Sequence, residues 1–100
     1  LFVIAGTARQ SATFNGLSLG DDNIFACPDG LWCDPNGRLW IETDMGDIGP
    51  DYSGPLKPFG MNQMLAADPA TGEIRRFFTG PWGQEVTGVV MTPDMTTMFI

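Results

Sequence analysis

Three stretches of this 100-residue sequence share one pattern, in which two apolar, strand-forming runs flank a short polar turn. They are residues 27–41, 63–79 and 88–100. Asp and Pro open tight turns and Gly accepts the positive φ angle that many turns need, so each stretch predicts a β-hairpin. Hairpins that recur along a chain indicate repeated antiparallel sheets, and we predict an all-β fold of the β-propeller type.

The strand-forming runs are residues 1–7, 31–33, 38–43, 63–67, 73–78, 86–92 and 97–100. Residues 8–26 predict an irregular link, and residues 45–61 contain too many Gly and Pro for regular structure. No segment has the periodicity of a helix that would pack against a sheet. We expect one complete four-stranded antiparallel blade at 27–79, the end of one blade and a link at 1–26, and the start of the next at 80–100.

Both ends of the sequence lie in apolar, strand-like runs, which would leave open sheet edges. Whole proteins normally avoid such edges, so we expect a single fragment of a propeller domain within a longer chain. A fragment of this size is not a closed propeller, and because neighbouring blades stabilise one another we do not expect it to be stable on its own.

The net charge is −7, from 12 acidic and 5 basic residues with no His. Nucleic-acid binding needs clustered Lys and Arg, so this composition argues against it. No apolar run approaches the ~20 residues that span a membrane. Cys27 and Cys33 are too far apart on one strand to bond each other, and we predict that both are small buried apolar residues. We expect the full-length protein to be a monomer.

Carboxylates at one end of the predicted blade are the strongest candidates for chemistry. Because successive strands alternate in direction, Asp29, Asp44, Asn62, Glu85 and the loop 45–61 fall on one face. Asp29 and Glu85 each precede an innermost strand, where carboxylates from several blades would repel one another unless a cation bound there. Calcium suits such an all-oxygen site, and ferric iron also accepts carboxylate ligands.

Each candidate also has a purely structural interpretation. Asp29 and Asp44 fit turn positions equally well, whereas Glu is a poor turn former, which makes Glu85 harder to explain as structure. Glu42 is expected to pair with a neighbouring blade. Lys57, in the loop on the candidate face, is placed to reach an anionic substrate.

On the opposite face, Asp34, Asp68 and Asp94 are predicted to be ordinary turn formers. The aromatic residues that we expect to pack between blades are Trp32, Trp40 and Phe99. Arg75 and Arg76 lie on the outermost predicted strand, where we expect both to be solvated. No Ser or Cys has a recognisable base partner, so the sequence does not support a nucleophilic triad.

Segments from about residue 25 to residue 100 resemble the PhoX family of bacterial alkaline phosphatases. The resemblance is carried, in order, by Pro-Asp-Gly-Leu-Trp and Asp-Pro-Asn-Gly-Arg-Leu-Trp-Ile-Glu-Thr-Asp (28–32 and 34–44), by 62–69, 71–77 and 79–81, and by Glu-Val-Thr-Gly-Val-Val, Thr-Pro-Asp and Thr-Met-Phe (85–90, 92–94 and 97–99). Pro-Asp-Gly-Leu alone also marks gluconolactonase-like propellers.

The resemblance implies a propeller enzyme, exported to the periplasm or cell exterior, that hydrolyses small phosphate monoesters with calcium and iron ions. By likeness, Glu85 would be a metal ligand and catalytic residue, with Asp29 as the next ligand. Asp44, on the same face, is the third candidate ligand. The metal ions would polarise the phosphoryl group, and they would let an acidic protein bind an anionic substrate. We expect the fragment alone to be inactive, because other blades must complete the site.

Four residues depart from the family pattern. Met61 replaces a second Asn, Gln84 a frequent Cys, Met95 the usual Gly of a turn and Thr96 an Arg. Met61 and Gln84 flank candidate site residues, so the metal set or the substrate could differ. The alternatives are a calcium-dependent, lactonase-like propeller and a non-enzymatic propeller that binds calcium.

Overall fold

The computed structural model describes residues 3–6, 13–14, 17–46 and 48–100, and this part of the chain is almost entirely β-structure and loops. The strands are β1 (Val3–Ile4), β2 (Thr13–Phe14), β3 (Leu17–Ser18), β4 (Pro28–Cys33), β5 (Leu39–Thr43), β6 (Gln63–Asp68), β7 (Glu73–Thr79), β8 (Val90–Met91) and β9 (Met98–Phe99). A 3-10 helix covers Lys57–Phe59. The described residues include no helix of the length and apolarity that a membrane crossing requires.

The strands form three antiparallel sheets, each a meander in chain order. The central sheet has four strands in the order β4-β5-β6-β7, flanked in sequence by a three-stranded sheet, β1-β2-β3, and a two-stranded sheet, β8-β9. This is the predicted all-β arrangement, with one complete four-stranded propeller blade and parts of two neighbours. The exact limits of the blades within the sequence stay a prediction.

All three predicted hairpins are present. The first closes through a hydrogen bond from Gly37 N to Asp34 O at 2.9 Å, where Gly37 has φ +84°. The third closes from Thr92 N to Thr97 O at 2.9 Å. Its turn places Met95 at φ +59°, in the left-handed region that favours glycine. Met95 therefore occupies a backbone conformation that a glycine would adopt with less strain.

The turn-forming role of Asp34, Asp68 and Asp94 is confirmed. Each carboxylate accepts hydrogen bonds of 2.8–3.3 Å from backbone amides a few residues further along the chain, which belong to Asn36, Arg38, Ala70, Thr71 and Thr96. Asp34 is buried and also accepts a bond of 3.0 Å from the Trp40 indole. These carboxylates satisfy local donors.

The central sheet is covered on both faces because its middle strands β5 and β6 carry apolar side chains at successive positions, which point to opposite sides of the sheet. Ile41 belongs to a cluster on one face with Phe25, Leu65 and Ile74, while its neighbour Trp40 packs on the other. Under the loop 45–61 lies a third cluster, made of Ile24, Ala26, Met45, Ile48, Phe59 and Met61. The loop, although rich in Gly and Pro, is therefore held in place by packing against this third cluster.

The prediction that three aromatic residues pack between blades is confirmed for two of them. Trp40 is buried in a cluster with Met64 and Val86, and Trp32 packs against the same cluster. For Phe99, whose side chain is 58% exposed in this chain, packing against a further blade stays a prediction. Its neighbour Met98 contacts the Trp40 cluster instead, and successive residues of a strand point to opposite sides.

Two predicted segments differ from the structure. Residues 8–26 are not wholly irregular, since β2 and β3 pair with β1; strands of two residues are too short to leave a sequence pattern. The predicted strand 86–92 is reduced to β8, because the amides of Gly88 and Val89 bind the Glu42 carboxylate rather than a partner strand. Within the predicted strand 1–7, residues 1, 2 and 7 lie outside the described part.

The exposure of both cysteines and of one arginine also differs from the sequence predictions. Cys27 and Cys33 are free and exposed rather than buried. Cys27 precedes β4 at φ +50°, and Cys33 lies on the exposed side of that strand. Arg75 is solvated and pairs with Glu73 on the surface, as predicted.

Arg76 is only partly exposed to solvent, which contradicts the prediction that it is solvated. Its side chain is half-buried and donates hydrogen bonds to Gln63 Oε1 at 2.7 Å and to the Ile24 carbonyl at 3.1 Å. Arg76 therefore ties the outer strand β7 both to the inner strand β6 and to the segment that precedes β4. The sequence pattern missed this because both of its partners are distant in the chain.

Candidate metal centre

The pairing of β4 with β5 places two of the predicted site residues at the same end of the central sheet. Asp29 is the second residue of β4, and Asp44 directly follows β5. The antiparallel register sets Pro28 opposite Thr43, and Asp44 N donates to the Cys27 carbonyl at 3.0 Å. The pairing of the two strands therefore holds in place the backbone that carries both carboxylates.

Glu85 reaches the same place from the segment 80–89, which connects β7 with β8. One carboxylate oxygen each from Asp29, Asp44 and Glu85 lies within 4.8 Å of the other two, and all three residues are exposed. The structure thus brings together the three residues that the sequence singled out. Their role as metal ligands stays a prediction.

The spacing of these oxygens suits a hard cation. Oxygen ligands lie about 2.3–2.6 Å from calcium, so two oxygens on one ion can be up to about 5 Å apart. Two like charges separated by 4.8 Å repel by about 1 kcal/mol in water and about 3–4 kcal/mol at an effective dielectric constant of 20. A bound cation would reverse that repulsion, and an all-carboxylate donor set favours calcium or ferric iron over softer metals.

The hydrogen bonds of the candidate ligands distinguish a structural role, in forming a turn, from a role in binding a metal ion. Asp44 Oδ1 accepts a bond from Gly46 N at 2.9 Å, so part of the Asp44 carboxylate does serve a turn. In the described part of the chain, no hydrogen bond is made by the carboxylates of Asp29 or Glu85. Their side chains are therefore available to a ligand.

A cavity of about 340 Å³ opens beside the carboxylates. Its lining includes Asp44, Asn62, Gln84 and Glu85. Gln84, one of the two expected departures from the family pattern near the site, thus lies at the cavity, whereas the other, Met61, is buried in the cluster under the loop. Of these two departures, the one at Gln84 is placed to alter the site.

Asn62 holds the two sides of this cavity together, a role that the sequence analysis missed. Its side chain is buried, and Oδ1 accepts hydrogen bonds from Met45 N at 2.7 Å and Thr43 Oγ1 at 3.3 Å. Its Nδ2 donates to the Gln84 carbonyl at 3.0 Å. A polar residue directly before strand β6, whose central residues are apolar, is the signal that could have indicated this role.

Glu42 makes a second buried link. Glu42 is 3% exposed, and its carboxylate accepts hydrogen bonds from Gly88 N at 3.1 Å and Val89 N at 3.0 Å. The prediction that Glu42 pairs with the beginning of the neighbouring blade is therefore confirmed. Glu42 is thus fully used by the fold and is not a free candidate for metal binding.

Lys57 lies on the 3-10 helix, exposed, and lines a small separate cavity with Tyr52 and Trp82. It does not line the cavity beside the carboxylates. Its contact with an anionic substrate stays a prediction.

Comparison with known proteins supports the resemblance seen in the sequence. The sequence model of the family described as alkaline phosphatase PhoX matches residues 1–100. A solved structure, Pseudomonas fluorescens PhoX in complex with vanadate, a transition state analogue, is 45% identical in sequence and superposes with a TM-score of 0.75. The match covers 97% of this chain and 17% of that one. Comparison with curated proteins gave no match. On the family match and this degree of identity, the chain belongs to the PhoX family of alkaline phosphatases.

Proposed function

We propose that the intact protein hydrolyses small phosphate monoesters with metal ions held at the carboxylate end of the central blade. The observation that carries this proposal is the convergence of Asp29, Asp44 and Glu85 within 4.8 Å in a member of the PhoX family. The vanadate complex of the relative supports it, because a transition-state analogue of that kind fits phosphoryl transfer.

The three carboxylates would hold the cation and fix its place at the edge of the cavity. When bound, calcium or iron supplies positive charge that neutralises a phosphoryl group and polarises it for attack. The carboxylates alone would repel a phosphate dianion, and the protein's net charge of −7 adds to that repulsion. Glu85 is the proposed key ligand, since its carboxylate makes no hydrogen bond within the described residues and Glu, unlike Asp, is a poor turn former.

The proposal extends to location and assembly. We further propose that the intact protein acts as a monomer, in the periplasm or outside the cell, on a small phosphoester. Cell fractionation followed by size-exclusion chromatography tests both points. Activity that stayed with the cytoplasmic fraction would contradict the location.

The experiment measures hydrolysis of p-nitrophenyl phosphate by the intact protein before and after chelation. Glu85→Gln should lower activity by about 100-fold or more, since even outer-shell partners of metal ligands contribute 10–100-fold. Glu73→Gln is the matched control, because it removes the same charge from an exposed pair with Arg75. Chelation should abolish the activity of the wild type and of the control.

Two results would contradict this function. Wild-type activity in Glu85→Gln would show that the carboxylate site takes no part in the reaction. Bound calcium, with hydrolysis of a sugar lactone but not of a phosphate monoester, would favour the lactonase-like alternative instead.

A further inference from the structure

The segment that carries Glu85 has almost no regular structure of its own to hold it in place. Between β7 and β8, residues 80–89 are described as turns and irregular backbone. The Glu85 side chain is exposed and makes no hydrogen bond within the described residues. The position of its carboxylate must therefore be set by contacts made by its neighbours.

Asn62 makes the contacts on the N-terminal side of Glu85. Its backbone carbonyl accepts a hydrogen bond from Gly80 N at 2.8 Å, and its side-chain amide donates to the carbonyl of Gln84 at 3.0 Å. The same side chain accepts from Met45 N, the residue after Asp44. One buried side chain thus connects the backbone beside Asp44 to the backbone beside Glu85.

Glu42 makes the equivalent contacts on the C-terminal side. Its carboxylate binds the amides of Gly88 and Val89, three and four residues after Glu85. It also lies against Gly30, the residue after Asp29, so closely that a Cβ atom there would collide with Oε2. A second buried side chain therefore connects the backbone beside Asp29 to the backbone that follows Glu85.

We propose that Asn62 and Glu42 are positioning residues that hold Glu85 at binding distance from Asp29 and Asp44. The proposal rests on the proposed function, since it assumes that the three carboxylates bind a cation. Neither residue needs to touch the ion. Each acts by fixing the backbone beside two ligands, and removing a hydrogen-bonded partner from a buried site leaves its donors or acceptors unsatisfied.

The test uses the metal-stripped intact protein and measures terbium affinity by luminescence titration, with competition by calcium. Asn62→Ala and Glu42→Gln should each weaken terbium binding by about 10–100-fold, the usual effect of losing an outer-shell partner. Asp34→Asn is the matched control, because it removes buried hydrogen bonds at the opposite end of the blade. That control should lower thermal stability and leave terbium affinity within about twofold of wild type.

Amide hydrogen exchange adds a readout that does not depend on metal. In Glu42→Gln, the amides of Gly88 and Val89 should exchange faster than in wild type, since one of the two acceptor oxygens is lost. If Asn62→Ala does not fold, Glu42→Gln carries the test alone.

The outcomes distinguish failure of this proposal from failure of the proposed function on which it rests. Wild-type terbium affinity in Asn62→Ala and Glu42→Gln, with binding lost in Glu85→Gln, would overturn the positioning roles and leave the cation site standing. Wild-type affinity in Glu85→Gln would overturn both proposals at once.

Discussion

Glu42 lies directly against Gly30, and the absence of a side chain at position 30 is what allows this contact. An added Cβ atom would collide with the carboxylate that binds the amides of Gly88 and Val89. The glycine of the Pro-Asp-Gly sequence is thus required by packing across the sheet as well as by any turn.

Gly30→Ala should therefore displace Glu42 and destabilise the protein by about 1–3 kcal/mol, the cost of leaving buried polar groups unsatisfied. Gly20→Ala is the control, since nothing lies within 4 Å of a Cβ atom built at that position. Urea unfolding of the intact protein measures both. Equal stability of the two variants would contradict the contact.

Asp34 makes the stability of the folded state depend on pH in the acidic range. Burial acts to raise its pKa, but hydrogen bonds from the Arg38 amide, the Trp40 indole and the Asn36 amide outweigh burial and hold the pKa below its usual 3.8. The folded state therefore binds fewer protons than the unfolded state, and stability falls as pH drops below 3.8 and through the folded pKa.

In Asp34→Asn, the free energy of unfolding should be lower at neutral pH, by about 1–3 kcal/mol. It should also fall less steeply with acid than in wild type. Some acid dependence should remain, because hydrogen bonds from Thr92 and Thr96 likewise lower the pKa of Asp94. Urea unfolding at a series of pH values tests this, and a variant with the wild-type slope would refute it.

The neighbouring arginines of β7 should differ in their contribution to stability. Arg76→Ala removes charged hydrogen bonds to Gln63 and to the Ile24 carbonyl, so we expect a loss of about 1.5–3 kcal/mol. Arg75→Ala removes only an exposed ion pair with Glu73 and should change stability little. Thermal unfolding compares them, and equal losses would show that Arg76 is not a structural link.

The local parts of this fold could be predicted from the sequence. Turn chemistry located the hairpins, and the alternating direction of successive strands placed Asp29, Asp44 and Glu85 at one end. Both inferences depend on short-range rules that a few residues obey by themselves. The structure agrees on the hairpins and on the proximity of the three carboxylates.

What the sequence could not reveal depends on contacts between distant residues. Asn62 contacts the backbone of Gln84, 22 positions away, and Arg76 contacts that of Ile24, 52 positions away. The exposure of Cys27 and Cys33 likewise follows from which side of β4 is covered. No periodicity encodes such pairings, because each depends on how the loops lie over the finished sheet.

The measurement that tests the account most directly is metal analysis of the intact protein by plasma mass spectrometry. Wild type and Glu73→Gln should retain calcium and iron in the same ratio after dialysis, whereas Glu85→Gln, Asp29→Asn and Asp44→Asn should each lose metal. Equal metal content in all five proteins would show that these carboxylates, although within 4.8 Å of one another, do not form the metal centre.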